Sequence, residues 1–133
     1  MKTSIRPIRQ DVYAVVLVAS DEYWQEVRRA FPDLRPGLAL GHEFTSRSFG
    51  KRRVVFMQTG TGSVSAAACA QHAADRWRPF LLMSTVDADS PEAEAFGWVA
   101  ERNDVPLTSF TDGSSTFLEA LDRFKNGAPT AQN

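Results

Sequence analysis

The apolar run Val12-Tyr13-Ala14-Val15-Val16-Leu17-Val18-Ala19 ends directly on Ser20-Asp21. A strand that is apolar at every position, rather than at every second one, is buried on both faces, as central strands of parallel sheets are. Ser20-Asp21 then supplies a helix N-cap. A sheet covered on both faces needs helices on both sides, so this run directs the chain towards a layered α/β arrangement.

The remaining sequence repeats the strand-to-helix theme. Glu22–Phe31 places Tyr23, Val27 and Ala30 or Phe31 on one face at helical spacing, and Pro32-Asp33 stops it. Residues 33–40, with Pro36 and Gly37, read as loop. His42–Phe49 alternates, Gly50-Lys51 turns, and Arg53–Thr59 returns, which predicts a β-hairpin. Val64–Trp77 is Ala-rich with helical periodicity and closes at Pro79, so its small-residue face can lie close on a sheet. Phe80–Val86 reads as a second buried strand, Ser90–Arg102 as a helix with Pro91 in its first turn, and Val105–Thr111 as a short strand. Ser114–Phe124 reads as a last helix with Phe117, Leu118, Leu121 and Phe124 inward. The expected fold is a three-layer α/β sandwich around a mostly parallel central sheet, with right-handed crossovers.

At 133 residues, one domain over residues 1–126 is expected, with 127–133 as a frayed tail. Fifteen Lys+Arg against sixteen Asp+Glu give a formal charge of -1, and the basic residues are scattered apart from Lys51-Arg52-Arg53 at a turn. That pattern excludes the basic footprint of a nucleic-acid binder. No run reaches the roughly 20 apolar residues that span a bilayer. The N-terminus does not read as a signal peptide, so a cytoplasmic location without membrane attachment is expected. The single cysteine, Cys69, can form no intrachain disulfide and reads as a small buried hydrophobe. His42 and His72 lack metal-ligand spacing, so neither a metal site nor a cofactor is expected. His72 reads as a surface residue, and Trp24, Trp77 and Trp98 read as core packing.

Ligands of such sheets sit at the carboxyl ends of the strands. Three segments fall there. Thr59-Gly60-Thr61-Gly62-Ser63 is a strand-to-helix turn whose glycines let backbone N–H groups approach an anion, with Thr61 and Ser63 hydroxyls beside them. The same residues are equally accounted for by a tight turn with Ser63 as N-cap. The spacing is neither a Walker loop nor a dinucleotide fingerprint, since Ser65 stands where a third glycine would. Asp87-Ala88-Asp89-Ser90 places acids before a helix, where a carboxylate can accept two hydroxyls of a vicinal diol or simply cap the helix. Thr111-Asp112-Gly113-Ser114 places an acid past a strand, fit to protonate a leaving group or to form an Asx turn.

In this order the three segments resemble the purine nucleoside phosphorylase and methylthioadenosine/adenosylhomocysteine nucleosidase superfamily. The most specific part is Val54-Val55-Phe56-Met57-Gln58-Thr59-Gly60-Thr61-Gly62-Ser63-Val64-Ser65-Ala66-Ala67, running on through Arg76-Trp77-Arg78-Pro79 to Phe80–Thr85. Val86-Asp87-Ala88-Asp89-Ser90 is similar to the family's ribose-holding segment, with Ala88 at its Met and Asp89 at its Glu. Val105–Asp112 resembles the strand that ends in the family's Ser-Asp pair, with Thr111 for the Ser and Thr108 where an Arg is common. Thr85-Val86 joins two pieces that the family separates by a long central section, so the resemblance is to a shortened member.

The resemblance implies cleavage of a purine nucleoside N-glycosidic bond. Asp112 would protonate the purine, Asp89 would bind the ribose hydroxyls, and Thr85 and Thr111 would line the substrate. Gly60, Thr61, Gly62 and Ser63 would orient phosphate or water, and Glu22 would serve as base ahead of Glu26. The alternative is a catalytically inactive phosphorylase-like scaffold that binds a small ligand or a partner subunit. Family members commonly oligomerise, so a homo-oligomer is expected. An unrelated flavodoxin-like binding protein is a third reading.

Overall fold

The computed structural model describes residues 12–33, 35–111 and 116–125. The expected tail at 127–133 and the residues Asp112, Gly113 and Ser114 lie outside the described residues. In chain order come β1 (Val12–Val18), α1 (Asp21–Ala30), β2 (Gly37–Ala39), β3 (His42–Phe49), β4 (Arg52–Gln58), α2 (Ser63–Trp77), β5 (Leu81–Ser84), α3 (Pro91–Arg102), β6 (Leu107–Ser109) and α4 (Phe117–Lys125).

The strands form one sheet in the order β2-β3-β4-β1-β5-β6. β4, β1, β5 and β6 run parallel, while β2 and β3 join as antiparallel strands on the β4 side. The all-apolar run does become the centre, flanked on both sides by parallel partners. Its side chains divide between two cores. Val15 and Leu17 join Val55, Met57 and Leu82 under Ala66, Cys69, Ala70 and Ala73 of α2 and Phe96 and Val99 of α3. Val16 and Val18 join Val54 and Phe56 under Trp24 and Val27 of α1 and Ala120 and Leu121 of α4. The result is the expected three-layer sandwich. At Tyr13 the pairing of β1 with β4 skips a residue, a bulge that sets Tyr13 and Ala14 towards the same core.

The helices start where the sequence offers caps. Ser20 Oγ accepts from Tyr23 N at 3.2 Å, and Ser90 Oγ from Ala93 N at 3.1 Å with Pro91 just inside. α2 differs: its N-cap is Gly62, without a side-chain cap, rather than Ser63. α2 and α3 lie side by side on one face and are joined by a reciprocal amide pair, Gln71 with Asn103, at 2.9 and 3.1 Å.

The structure departs from expectation also at residues 37–39, Trp98, Leu118 and His72. Residues 37–39, read as loop, form β2, which returns to β3 through Leu40 (φ 54) and Gly41 (φ 77). Two left-handed residues make a tight hairpin turn, but Leu is a rare choice there, so the usual turn signal is absent. Trp98 is 56% exposed and Leu118 is 54% exposed, because the sheet is already covered by Phe96 and Val99 of α3 and by Phe117, Ala120 and Leu121 of α4. His72 is partly buried: its Nε2 is enclosed without a hydrogen-bond partner, and its ring meets Trp77 edge to face. Among the described residues no helix is long and apolar enough to cross a membrane.

Candidate functional site

The four parallel strands end side by side. Val18 pairs with Gln58, Leu17 with Ser84, and Ser84 with Ser109, so the turns that follow open on one rim. Single bonds extend the ladders past the strand ends: Thr59 N to Val18 O at 2.8 Å and Phe110 N to Ser84 O at 2.8 Å. The start of α1, the glycine turn, residues 85–90 and Thr111 therefore occupy neighbouring positions.

At the glycine turn, Gly60 (φ 74) and Gly62 (φ 93) hold conformations that other residues rarely adopt. A Cβ on Gly60 would lie 2.9 Å from His42 Cε1, so the missing side chain is what lets His42 of β3 approach. Beyond Gly62 the space is open, and Thr61 and Ser63 are exposed. Under the turn, Ser65 Oγ donates to Thr59 O at 2.6 Å and lies 3.3 Å from His42 Nε2. With the serine proton committed to a carbonyl, His42 is left to donate to Ser65 Oγ, and the pair does not form an activated nucleophile. Burial pushes the Cys69 thiol up, with a hydrogen bond involving Ser65 opposing, which disfavours the thiolate that a nucleophile needs.

Two threonines mark the ends of β5 and β6. Thr85 is buried and its Oγ1 donates to Leu17 O at 2.9 Å, which fixes β5 against the central strand. Thr111 is half-buried, with Oγ1 3.3 Å from Ser109 Oγ. Asp89 is exposed within the turn that caps α3, where Ser90 N and Oγ both donate to Asp87 O. Glu22 is exposed in the first turn of α1. A depression of about 300 Å³ lies beside these strand ends, lined by Ser84, Val86, Ala88, Ala93, Leu107 and Ser109.

Two carboxylates that sequence reasoning missed have defined partners here. Glu92 Oε2 accepts from Gly62 N at 2.6 Å and so reaches the glycine turn from α3. Glu43 accepts from Trp24 Nε1 at 2.8 Å and from Arg28 at 2.9 Å, tying α1 to β3. Glu92 had a signal: any residue in the first turn of a helix that follows a parallel strand stands at the ligand rim. Glu43 had none, since an antiparallel strand carries its start to that rim only once its pairing is known. Among the described residues no group of three His, Cys, Asp or Glu could hold a metal ion.

No family model matches the chain, and no curated protein matches it significantly. Solved structures do match. A mutant futalosine hydrolase of Helicobacter pylori strain 26695 aligns with TM-score 0.50 at 12% identity, over 56% of this chain and 34% of its own. The 5'-methylthioadenosine/S-adenosyl homocysteine nucleosidase of Campylobacter jejuni aligns with TM-score 0.50 at 14% identity, over 56% of this chain and 32% of its own. The aligned part thus spans about a third of each. The likeness is one of fold: the chain shares its α/β architecture with part of the futalosine hydrolase and part of the nucleosidase.

Proposed function

We propose that this chain cleaves the N-glycosidic bond of a purine nucleoside. The observation that supports the reading is the side-by-side ending of β4, β1, β5 and β6, since the glycine turn, Glu22, Thr85, Asp89 and Thr111 all follow those strand ends in the chain. Asp112 follows Thr111 in the chain and protonates the departing base; Asp89 accepts the sugar hydroxyls. Glu22 is the base, and the Thr61 and Ser63 hydroxyls orient the acceptor. The depression of Val86, Ala88 and Leu107 with the hydroxyls of Ser84 and Ser109 suits a ligand with one apolar face and several hydroxyls. The bond breaks through a cationic sugar, which carboxylates at the rim stabilise.

A second reading is favoured by the exposed apolar residues Val64, Phe80 and Leu38, which are 84%, 72% and 72% exposed. In it the sheet is a non-catalytic scaffold whose apolar surface a partner subunit covers. The deciding assay incubates the protein with inosine, adenosine and methylthioadenosine, with and without phosphate, and follows base release. Release that disappears in Asp112→Asn supports catalysis. No release from any of the three leaves the scaffold reading.

A further inference from the structure

The glycine turn already holds an anion, and it comes from the chain itself. The 2.6 Å bond between Gly62 N and Glu92 Oε2 joins residues 30 positions apart and is as short as charge-assisted bonds are. α2 has no acidic residue in its first turn and no side-chain cap on Gly62, so the negative charge that a helix favours at its amino end is supplied by its neighbour. Glu92 stands in the first turn of α3, so one helix brings its carboxylate to the amino end of the other. The Gln71–Asn103 pair ties the same two helices together further along and keeps this arrangement in place.

We propose that Glu92 denies the glycine turn to inorganic phosphate and so makes water the acceptor at this site. The part concerning the acceptor rests on the nucleoside reading above. A phosphate at the Gly62 N–H must either displace the Glu92 carboxylate that this N–H holds or sit against it, and two anions in contact repel. Water is neutral and meets no such barrier. In the resulting step, the water oxygen forms a bond to the anomeric carbon as the carbon–nitrogen bond breaks. The electron pair of that bond leaves with the base, which takes a proton from Asp112, and the surplus proton of the water passes to Glu22. Both carboxyl groups regain their starting states through solvent, and the products are free sugar and free base, with no sugar phosphate.

The test is a titration of the full chain with inorganic phosphate, followed at the Gly62 amide by nuclear magnetic resonance, for the wild type, Glu92→Gln and Glu92→Ala. The wild-type amide is expected to stay in place at millimolar phosphate, while both variants bind at least about tenfold tighter. A wild type that binds as tightly as the variants overturns the proposal, and so do variants that gain nothing. Should neither variant fold, the wild-type titration decides alone: a phosphate-induced shift at Gly62 overturns it, and an unmoved resonance supports it. None of this needs turnover. A protein that releases no base, yet gains phosphate on Glu92→Gln, ends the nucleoside reading and leaves the exclusion of phosphate by Glu92 intact.

Discussion

The indole N–H of Trp24 donates to the Glu43 carboxylate at 2.8 Å, and the indole is almost wholly buried between α1 and the sheet. Removing the acceptor leaves a buried donor unpaired. Glu43→Ala is expected to lower stability by about 2 kcal/mol, whereas Arg28→Ala, whose side chain is 47% exposed in its ion pair with Glu43, costs no more than about 0.5 kcal/mol. Urea unfolding midpoints at constant m-value check the order of the two effects; equal losses would contradict it.

Glycine substitutions should separate by backbone conformation. Gly60→Ala meets both a left-handed φ of 74 and the ring of His42, and is expected to cost about 1–3 kcal/mol. Adding His42→Ala recovers only part, because the backbone strain stays. Gly97 lies inside α3 with open space around it, so Gly97→Ala should stabilise by about 0.5–1 kcal/mol. Thermal unfolding of the three variants tests this, and a stable Gly60→Ala would show that the turn rearranges freely.

Burial, followed by the charge of Arg76, holds the His72 imidazole below its ordinary pKa, with Asp75 opposing. The folded chain therefore keeps this histidine neutral at pH values where the unfolded chain protonates it. Its contribution to stability is complete above the ordinary value of about 6.5 and is lost as pH falls through the lowered one. Unfolding measured between pH 7 and pH 5 should show a decline that is smaller in His72→Phe, which keeps a ring against Trp77. Parallel curves for the two proteins would remove His72 as the cause.

On the proposed function, Asp112→Asn should lower kcat by a factor of about 10²–10⁴, the range for losing a general acid. Asp89→Asn should act first on KM, since it removes a ground-state contact with the sugar. Steady-state base release resolves the two, and an Asp112→Asn enzyme with unchanged kcat would remove the acid assignment.

Residue pattern made some elements plain and left others silent. β1 and α2 are legible because burial on both faces and an Ala-rich period are written in consecutive residues, Val12–Val18 and Ser63–Trp77. The β3–β4 hairpin is legible through Gly50 and the alternation before it. β2 is not, because its turn uses Leu40 and its Gly37 is required by the ring of Phe44, which a Cβ there would approach to 2.6 Å. Trp98 shows the limit of composition: aromatic character does not say which side of a helix the sheet will cover. At the rim, the glycine turn and the strand-end threonines follow from the strand-to-helix rule. The partnerships of Glu92 with Gly62 and of His42 with Ser65 cross 30 and 23 positions, and no local pattern encodes them.

Both margins of the sheet are three-residue strands, β2 at one side and β6 at the other. A foreign segment laid along either would gain only a few main-chain bonds before the ladder ran out, too few to offset the entropy of ordering it. Lateral growth into a fibre along these two described margins is thereby discouraged by geometry.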